Sequence, residues 1–157
     1  MRRFLIATSL SRFQTEPHTH AKILVAALLI SNGVRQDVEV IYYLTDINKT
    51  VKIIGGRVKR LFPDEQSAIG FLKKALVAGG QTGVVARKGP PEREGIVMGP
   101  VSGPPCVPKP PYTYVIELEK VGFEIDCGMG LAALPPHHQV VVVNVTTDRL
   151  LSGRRTF

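Results

Sequence analysis

LFPDEQSAIGFLKKAL, residues 61–76, describes an anchored helix in its start signal, its apolar stripe and its charge order. Pro63 suits the first turn, where its missing N–H costs nothing, and Asp64 and Glu65 set negative charge against the unsatisfied amides there. Ala68, Ile69, Leu72, Ala75 and Leu76 recur at helical spacing and make one buried stripe. Lys73 and Lys74 put positive charge near the C-terminal end, and Gly79 and Gly80 stop the helix.

Working outward, residues 50–54 read as a strand that reaches this helix through a Gly55-Gly56 turn, and residues 84–86 continue the alternation beyond it. Upstream, 4–8 is a short strand, 21–31 an apolar helix closed by Asn32-Gly33, and 38–44 a β-rich run. The first 87 residues therefore form an open α/β layer. Residues 89–111 differ, because 12 of these 23 are Gly or Pro. No regular element is expected there, and so long an irregular excursion is usually functional or mobile. Residues 112–118 form a strand, 121–123 a turn, 127–138 a Gly-Pro-rich loop, and the four valines within 139–144 favour a buried strand by propensity.

The chain has 157 residues, 44% hydrophobic and 21% charged, which fits one domain with a real core over residues 1–157. Its longest apolar run, residues 23–30, is well short of the roughly 18 to 20 residues that span a bilayer. The opening MRRFLIATSL lacks the length and cleavage pattern of a signal peptide, so a soluble cytoplasmic protein without a membrane partner is expected. Cys106 and Cys127 have no CxxC spacing, and neither a zinc site nor a disulfide framework is indicated. The net charge is +7, and residues 1–76 hold 12 basic against 6 acidic side chains while residues 77–157 hold 8 against 7. Such asymmetry suits a surface that neutralises phosphates.

Smaller constellations carry less. His18, His20, His137 and His138 lack a placed carboxylate, and no metal site is expected. Gly128-Met129-Gly130 is not a dinucleotide fingerprint. Glu117, Glu119, Glu124 and Asp126 are spaced as one solvated face of an extended segment.

Four short pieces of sequence carry a family resemblance. Residues 31–38, SNGVRQDV, are similar to S-H-x-I-R-x-D-V, and residues 61–76 to L-x-P-D-E-R-N-x-A-x-F-I-K-K-A-L. Residues 83–87, GVVAR, resemble G-I-Y-V-R, and residues 138–150 resemble H-C-I-x-I-V-H-N-E-L-D-R. These motifs are those of the archaeal tRNA pseudouridine-54 N1-methyltransferases, in the SPOUT class. Departures are Gln66 for an arginine, Leu118-Glu119-Lys120 for a Gly-Asp-His triplet, residues 16–19 for a Gly-Arg-Leu-Asp entry, and the near absence of a helix between Gly122 and Gly128.

The resemblance implies a SPOUT-like open sheet flanked by helices, a C-terminal trefoil knot, and a helix rather than a strand at residues 139–149. It implies methyl transfer from S-adenosylmethionine to N1 of a pseudouridine in the TΨC arm of tRNA, by a homodimer whose partner subunit completes the cofactor cleft. Leu118, Gly122, Gly128, Gly130 and Leu134 then fall in the cofactor loops. Arg35 is the candidate for holding the target nucleotide or its phosphate, and Asp37 for orienting Arg35 or accepting a proton; an Arg35–Asp37 ion pair fixing the turn is the structural alternative. Lys59, Arg60, Lys73 and Lys74 are candidate phosphate contacts. Leu118 and the missing helix equally suit a noncatalytic RNA-binding or assembly protein, and a ribosomal RNA methyltransferase would share every feature.

Overall fold

In the computed structural model, residues 1–30, 33–59, 61 and 64–153 are described. Ser31, Asn32, Arg60, Pro63 and the tail from residue 154 lie outside the described residues, so the helix stop at Asn32, the Pro63 start signal and the Arg60 phosphate contact carry no structural statement. A seven-stranded mixed sheet organises the chain, in the order β6-β5-β4-β1-β8-β7-β9. It is built from β1 (Arg2–Thr8), β4 (Val38–Leu44), β5 (Lys49–Ile54), β6 (Val84–Lys88), β7 (Ile96–Gly99), β8 (Tyr112–Glu117) and β9 (Cys127–Gly128). β4, β1, β8, β7 and β9 run parallel, while β5 and β6 add antiparallel at one side. A two-stranded ribbon, β2 (Leu29–Ile30) with β3 (Gly33–Val34), is separate.

The helices are α1 (Leu10–Thr15), α2 (Pro17–Leu28), α3 (Glu65–Lys73) and α4 (Pro136–Ser152). In α3 the Asp64 side chain caps the Ser67 amide at 2.9 Å, and the last turn continues as a π-helical stretch, Lys74–Ala78, before Gly79. The expected stripe is buried as read, at Ala68, Ile69, Leu72, Ala75 and Leu76. The helices press on one face of the sheet, where Phe4, Ile6, Val40, Tyr42, Tyr112 and Tyr114 are buried. The opposite face carries a smaller cluster, Leu5, Ile41, Val97 and Val115, with Phe123 and Ile125 from a loop packed on it.

Several sequence expectations change: the helix expected over 21–31 spans Pro17–Leu28 and gives way to β2, and the loop expected over 127–138 holds β9 and the start of α4 (Pro136–Ser152). β7 lies inside the segment expected to be irregular: Val97 and Met98 are buried because neighbours on both sides complete the parallel ladder. Three consecutive apolar residues among Gly and Pro give too short a signal to read as a strand alone. Residues 139–144 are helical, as the resemblance implied and their valines did not. Val140, Val143, Asn144 and Thr147 follow helical spacing and turn inward, while Val141 and Val145 face out. Tertiary contact thereby overrides β-propensity.

His20 shows the cost of this packing. It is fully buried against Phe13, with Nε2 at 2.7 Å from the Thr8 hydroxyl and Nδ1 at 2.8 Å from the Glu16 carbonyl. The carbonyl can only accept, so Nδ1 carries the proton and donates to it, and the neutral ring accepts from Thr8. Burial lowers its pKa below the ordinary 6.5. A depressed folded pKa means that the unfolded chain binds more protons, so this contribution is complete above about pH 6.5 and is lost as the pH falls through the lower folded value. Denaturant titrations of wild type and His20→Gln should show a steeper fall in stability below pH 6.5 for wild type. Equal slopes would mean that His20 is not the titrating group.

Candidate functional site

Three loops leave the carboxyl ends of neighbouring parallel strands β8, β7 and β9, the side on which open α/β sheets bind ligands. The Met129 amide donates to the Gly99 carbonyl at 2.9 Å, Leu131 to Pro100 at 2.7 Å, and Gly128 to Pro104 at 2.9 Å. Residues 99–104 and 128–131 are thus laced together by main-chain bonds. A Cβ on Gly128 would overlap the Val101 carbonyl oxygen, so only glycine permits this approach. Gly130, at φ +68°, has no atom within 4 Å of the place a Cβ would take. Leu118 begins the third loop, its amide donating to the Ala7 carbonyl at 2.8 Å, and packs against the helix-side core. Leu118, Gly122, Gly130 and Leu134 therefore lie in loops at this edge, and Gly128 is the last residue of β9.

A disulfide joins Cys106 to Cys127, contrary to the sequence expectation. Spacing could not show it, because the two cysteines are 21 residues apart and become neighbours only when the Pro/Gly-rich segment folds back along β9. Of the carboxylates of this region, Glu117, Glu124 and Asp126 are exposed, but β8 ends at Glu117 and they share no strand face. Glu117 accepts the amides of Val121, Gly122 and Phe123, and Asp126 accepts that of Val97 at 2.8 Å. Glu119 accepts from Arg12 Nε at 2.8 Å and from the Ser9 hydroxyl at 3.3 Å. The Arg12 hydrogen bond holds Glu119 below the usual carboxylate range. Arg12 and Ser9 had no marker in sequence, since they meet Glu119 only across the β1–β8 pairing.

Arg35 and Asp37 lie at the opposite edge, where β1 and β4 begin, about 20 Å away at roughly 3.3 Å per residue of β1. They do not pair with each other. Asp37 accepts from Arg2 Nε at 3.0 Å, while Arg35 forks onto both oxygens of Asp148 in α4, at 2.8 and 2.9 Å. Arg2 also reaches Asp148 at 2.7 Å and the Asn144 side chain at 3.1 Å. Asn144 in turn donates to the Ala26 and Ala27 carbonyls near the end of α2. Burial pushes the Asp148 pKa up, yet hydrogen bonds from Arg35 and Arg2 outweigh it and leave the pKa below its ordinary value. Asp37–Arg2–Asp148–Arg35 is thus one chain of charges that ties the C-terminal helix to the strand edge, with the Asp37 side chain still 49% exposed.

Lys59 and Lys74 line one groove with Ser67, Gln81 and Thr82. Lys73 faces a different cleft, beside Phe13, Gln14, Pro17 and Val77. Of the histidines, His18 pairs with Glu65 at 2.7 Å, His20 is internal, and His137 lines a groove with Glu65 while its ring lies tilted against that of His138. Among the described residues, no group of three or more His, Cys, Asp or Glu is placed to hold a metal ion. No helix among them is long and apolar enough to cross a membrane.

Helices α2 and α4 run side by side in one direction, with Lys22 beside His137 at one end and Ala27 beside Asn144 at the other. Between them lies an apolar groove of Val25, Ala26 and Val141, continued by exposed Val145.

A family profile described as "Putative SAM-dependent RNA methyltransferase" matches residues 18–91. That stretch contains Arg35, Asp37, Lys59, Lys73 and Lys74, and ends before the three carboxyl-edge loops. The tRNA (pseudouridine(54)-N(1))-methyltransferase of Halobacterium salinarum is 49% identical over 53 residues, 34% of this chain and 26% of that protein. The protein of the same description from Methanopyrus kandleri is 42% identical over 60 residues, 36% of this chain and 30% of that protein. The matched stretch spans less than a third of either relative.

Proposed function

We propose, from the match of residues 18–91 to that RNA methyltransferase profile, that the chain methylates N1 of a pseudouridine in the TΨC arm of tRNA. The observation that carries the reading is the pair of main-chain-laced loops at the carboxyl ends of β7 and β9, beside the strand end from which the loop after β8 leaves. Two observations support an S-adenosylmethionine site there: Leu118 is partly buried and packs against the helix-side core, and no atom lies within 4 Å of the place a Cβ on Gly130 would take. Leu118, Gly122, Gly128, Gly130 and Leu134 would hold it through main-chain groups. When bound, it supplies an electrophilic methyl group on a sulfonium sulfur.

The residues of this chain then position and deprotonate. The target N1–H must lie in line with that methyl, and holding it there supplies much of the acceleration. Within one chain Arg35 and Asp37 stand a strand length away from the loops. An isologous dimer through the α2/α4 groove resolves this, because a twofold axis across two parallel helices reverses their direction and carries the partner subunit's Arg35 toward the carboxyl edge. In that arrangement Arg35 grips the target nucleotide or its phosphate, and the half-exposed Asp37 accepts the proton that leaves N1. Lys59 and Lys74 supply phosphate contacts from their shared groove, and Lys73 a separate one. The substituted Leu118-Glu119-Lys120 triplet favours the second reading, an RNA-binding scaffold without catalysis.

Calorimetric titration of S-adenosylmethionine is expected to give saturable binding. Gly130→Val should weaken it about 100-fold, since a β-branched side chain resists positive φ and fills the open space. Transfer of labelled methyl from the cofactor to pseudouridine-containing tRNA completes the test. Absence of cofactor binding at millimolar concentration, with tRNA still bound, would establish the scaffold reading instead.

A further inference from the structure

The carboxylate of Glu117 does something that neither the sequence pattern nor the proposed mechanism assigns to it. β8 ends at this residue, where Ala7 of β1 is its register partner, and the amides of Leu118 and Glu119 both donate to the Ala7 carbonyl, at 2.8 and 2.9 Å. The chain therefore turns sharply. Oε2 of Glu117 then accepts the amides of Val121 and Gly122 at 2.7 and 2.9 Å, and Oε1 accepts that of Phe123 at 3.3 Å. Three successive N–H groups converging on one point make an anion-binding nest, which the side chain a few residues upstream fills. Gly122 permits the convergence with φ +82°, a conformation that costs other residues more.

We infer that Glu117 is the positioning residue of the loop over residues 118–123: its carboxylate occupies the amide nest and so fixes the main-chain shape offered to the cofactor. This rests on the cofactor reading above. The far end of the segment is already fixed, because Phe123 and Ile125 pack on the Leu5, Ile41, Val97 and Val115 cluster and Ile125 lies against Gly99. Between Leu118 and Phe123, the Glu117 carboxylate is the group that gathers the loop amides. It does so with charge-assisted bonds, which are roughly twice as strong as neutral ones. With those amides satisfied internally, the loop meets a ligand chiefly through its carbonyl groups, so it favours the donor-bearing side of the cofactor over its carboxylate.

Glutamine is nearly the same shape but replaces one acceptor oxygen with an NH2 group, which would face a backbone N–H donor. Glu117→Gln should therefore open the nest. Hydrogen exchange at Val121 and Gly122 is expected to speed up about 10-fold, S-adenosylmethionine affinity to fall by a similar factor, and the melting temperature to move little. Glu117→Ala empties the nest, and added acetate should restore slow exchange and part of the affinity at concentrations that leave wild type unchanged. Unaltered exchange in Glu117→Gln overturns the clamp. Faster exchange with unaltered cofactor affinity overturns its positioning role, and a large loss of melting temperature with no acetate rescue makes Glu117 a stability residue only. Wild-type protein that binds no cofactor removes the functional reading, while exchange at residues 121–123 still reports the clamp separately.

Discussion

Arg35→Ala is expected to lower tRNA methylation about 100-fold, the loss typical of an interaction realised in the transition state. Part of any such loss could come from unfolding, because Arg35 also forks onto Asp148 and helps seat α4. Melting curves and cofactor titration on the same samples separate the two, since activity is then expressed per folded, cofactor-competent molecule. The sharper measurement is complementation. If Arg35 works across the dimer, a subunit carrying Arg35→Ala still has its cofactor loops, and one carrying Gly130→Val still has its arginine. Mixed and re-equilibrated, the two crippled variants should regain about a quarter of wild-type activity, because half the dimers are hybrids and each holds one intact composite site. The assay is run at a cofactor concentration near the wild-type Kd, where Gly130→Val is nearly silent. No recovery on mixing would place Arg35 outside the partner's site. Normal activity per folded Arg35→Ala molecule would reduce Arg35 to an ion pair.

Removing the Cys106–Cys127 disulfide should have the largest effect on stability. Closing a loop of this sequence separation, 21 residues, restricts the unfolded chain by about 3 kcal/mol in the chain-entropy account. For a chain of this length that corresponds to a fall of about 6 to 12 °C in melting temperature, for the double variant Cys106→Ser with Cys127→Ser or for wild type under reductant. The main-chain bonds from Gly128 to Pro104 and from Met129 to Gly99 remain, so the two loops should stay together and cofactor binding at 25 °C should be largely kept. A melting temperature indifferent to reductant, with free thiols detected by alkylation and mass spectrometry in untreated protein, would show that the bond does not form.

Much of the helix layer was legible because its signals are local. The buried stripe of α3, its Asp64 cap and its glycine stop follow from spacing and terminus chemistry within a few residues. β1, β4 and β5 announce themselves through apolar runs bounded by turns. Residues 139–149 were ambiguous because four valines satisfy both periods, and the choice fell to what they meet: Tyr112 and Tyr114 of β8 offer hydroxyls to Thr147 and Gln139, a partnership that suits a helix lying on the sheet.

Charge asymmetry was enough to suggest a phosphate-neutralising surface, and the motifs were enough to suggest a family and, through it, Arg35 and Asp37 as candidates. Sequence could not say which of them meet. Ion pairs and loop contacts join residues more than 100 positions apart, as in Arg35 with Asp148 and Arg12 with Glu119, and no one-dimensional spacing encodes that. Direction along the sheet was equally hidden. Only the parallel register of β1, β4 and β8 places Arg35 and Asp37 at one end and the glycine loops at the other, because each parallel strand must begin at one edge and finish at the opposite one. Local periodicity gave the strongly patterned elements and the chemical inventory, whereas β7, the state of residues 139–144 and the groups that share an edge followed from strand order, direction and packing.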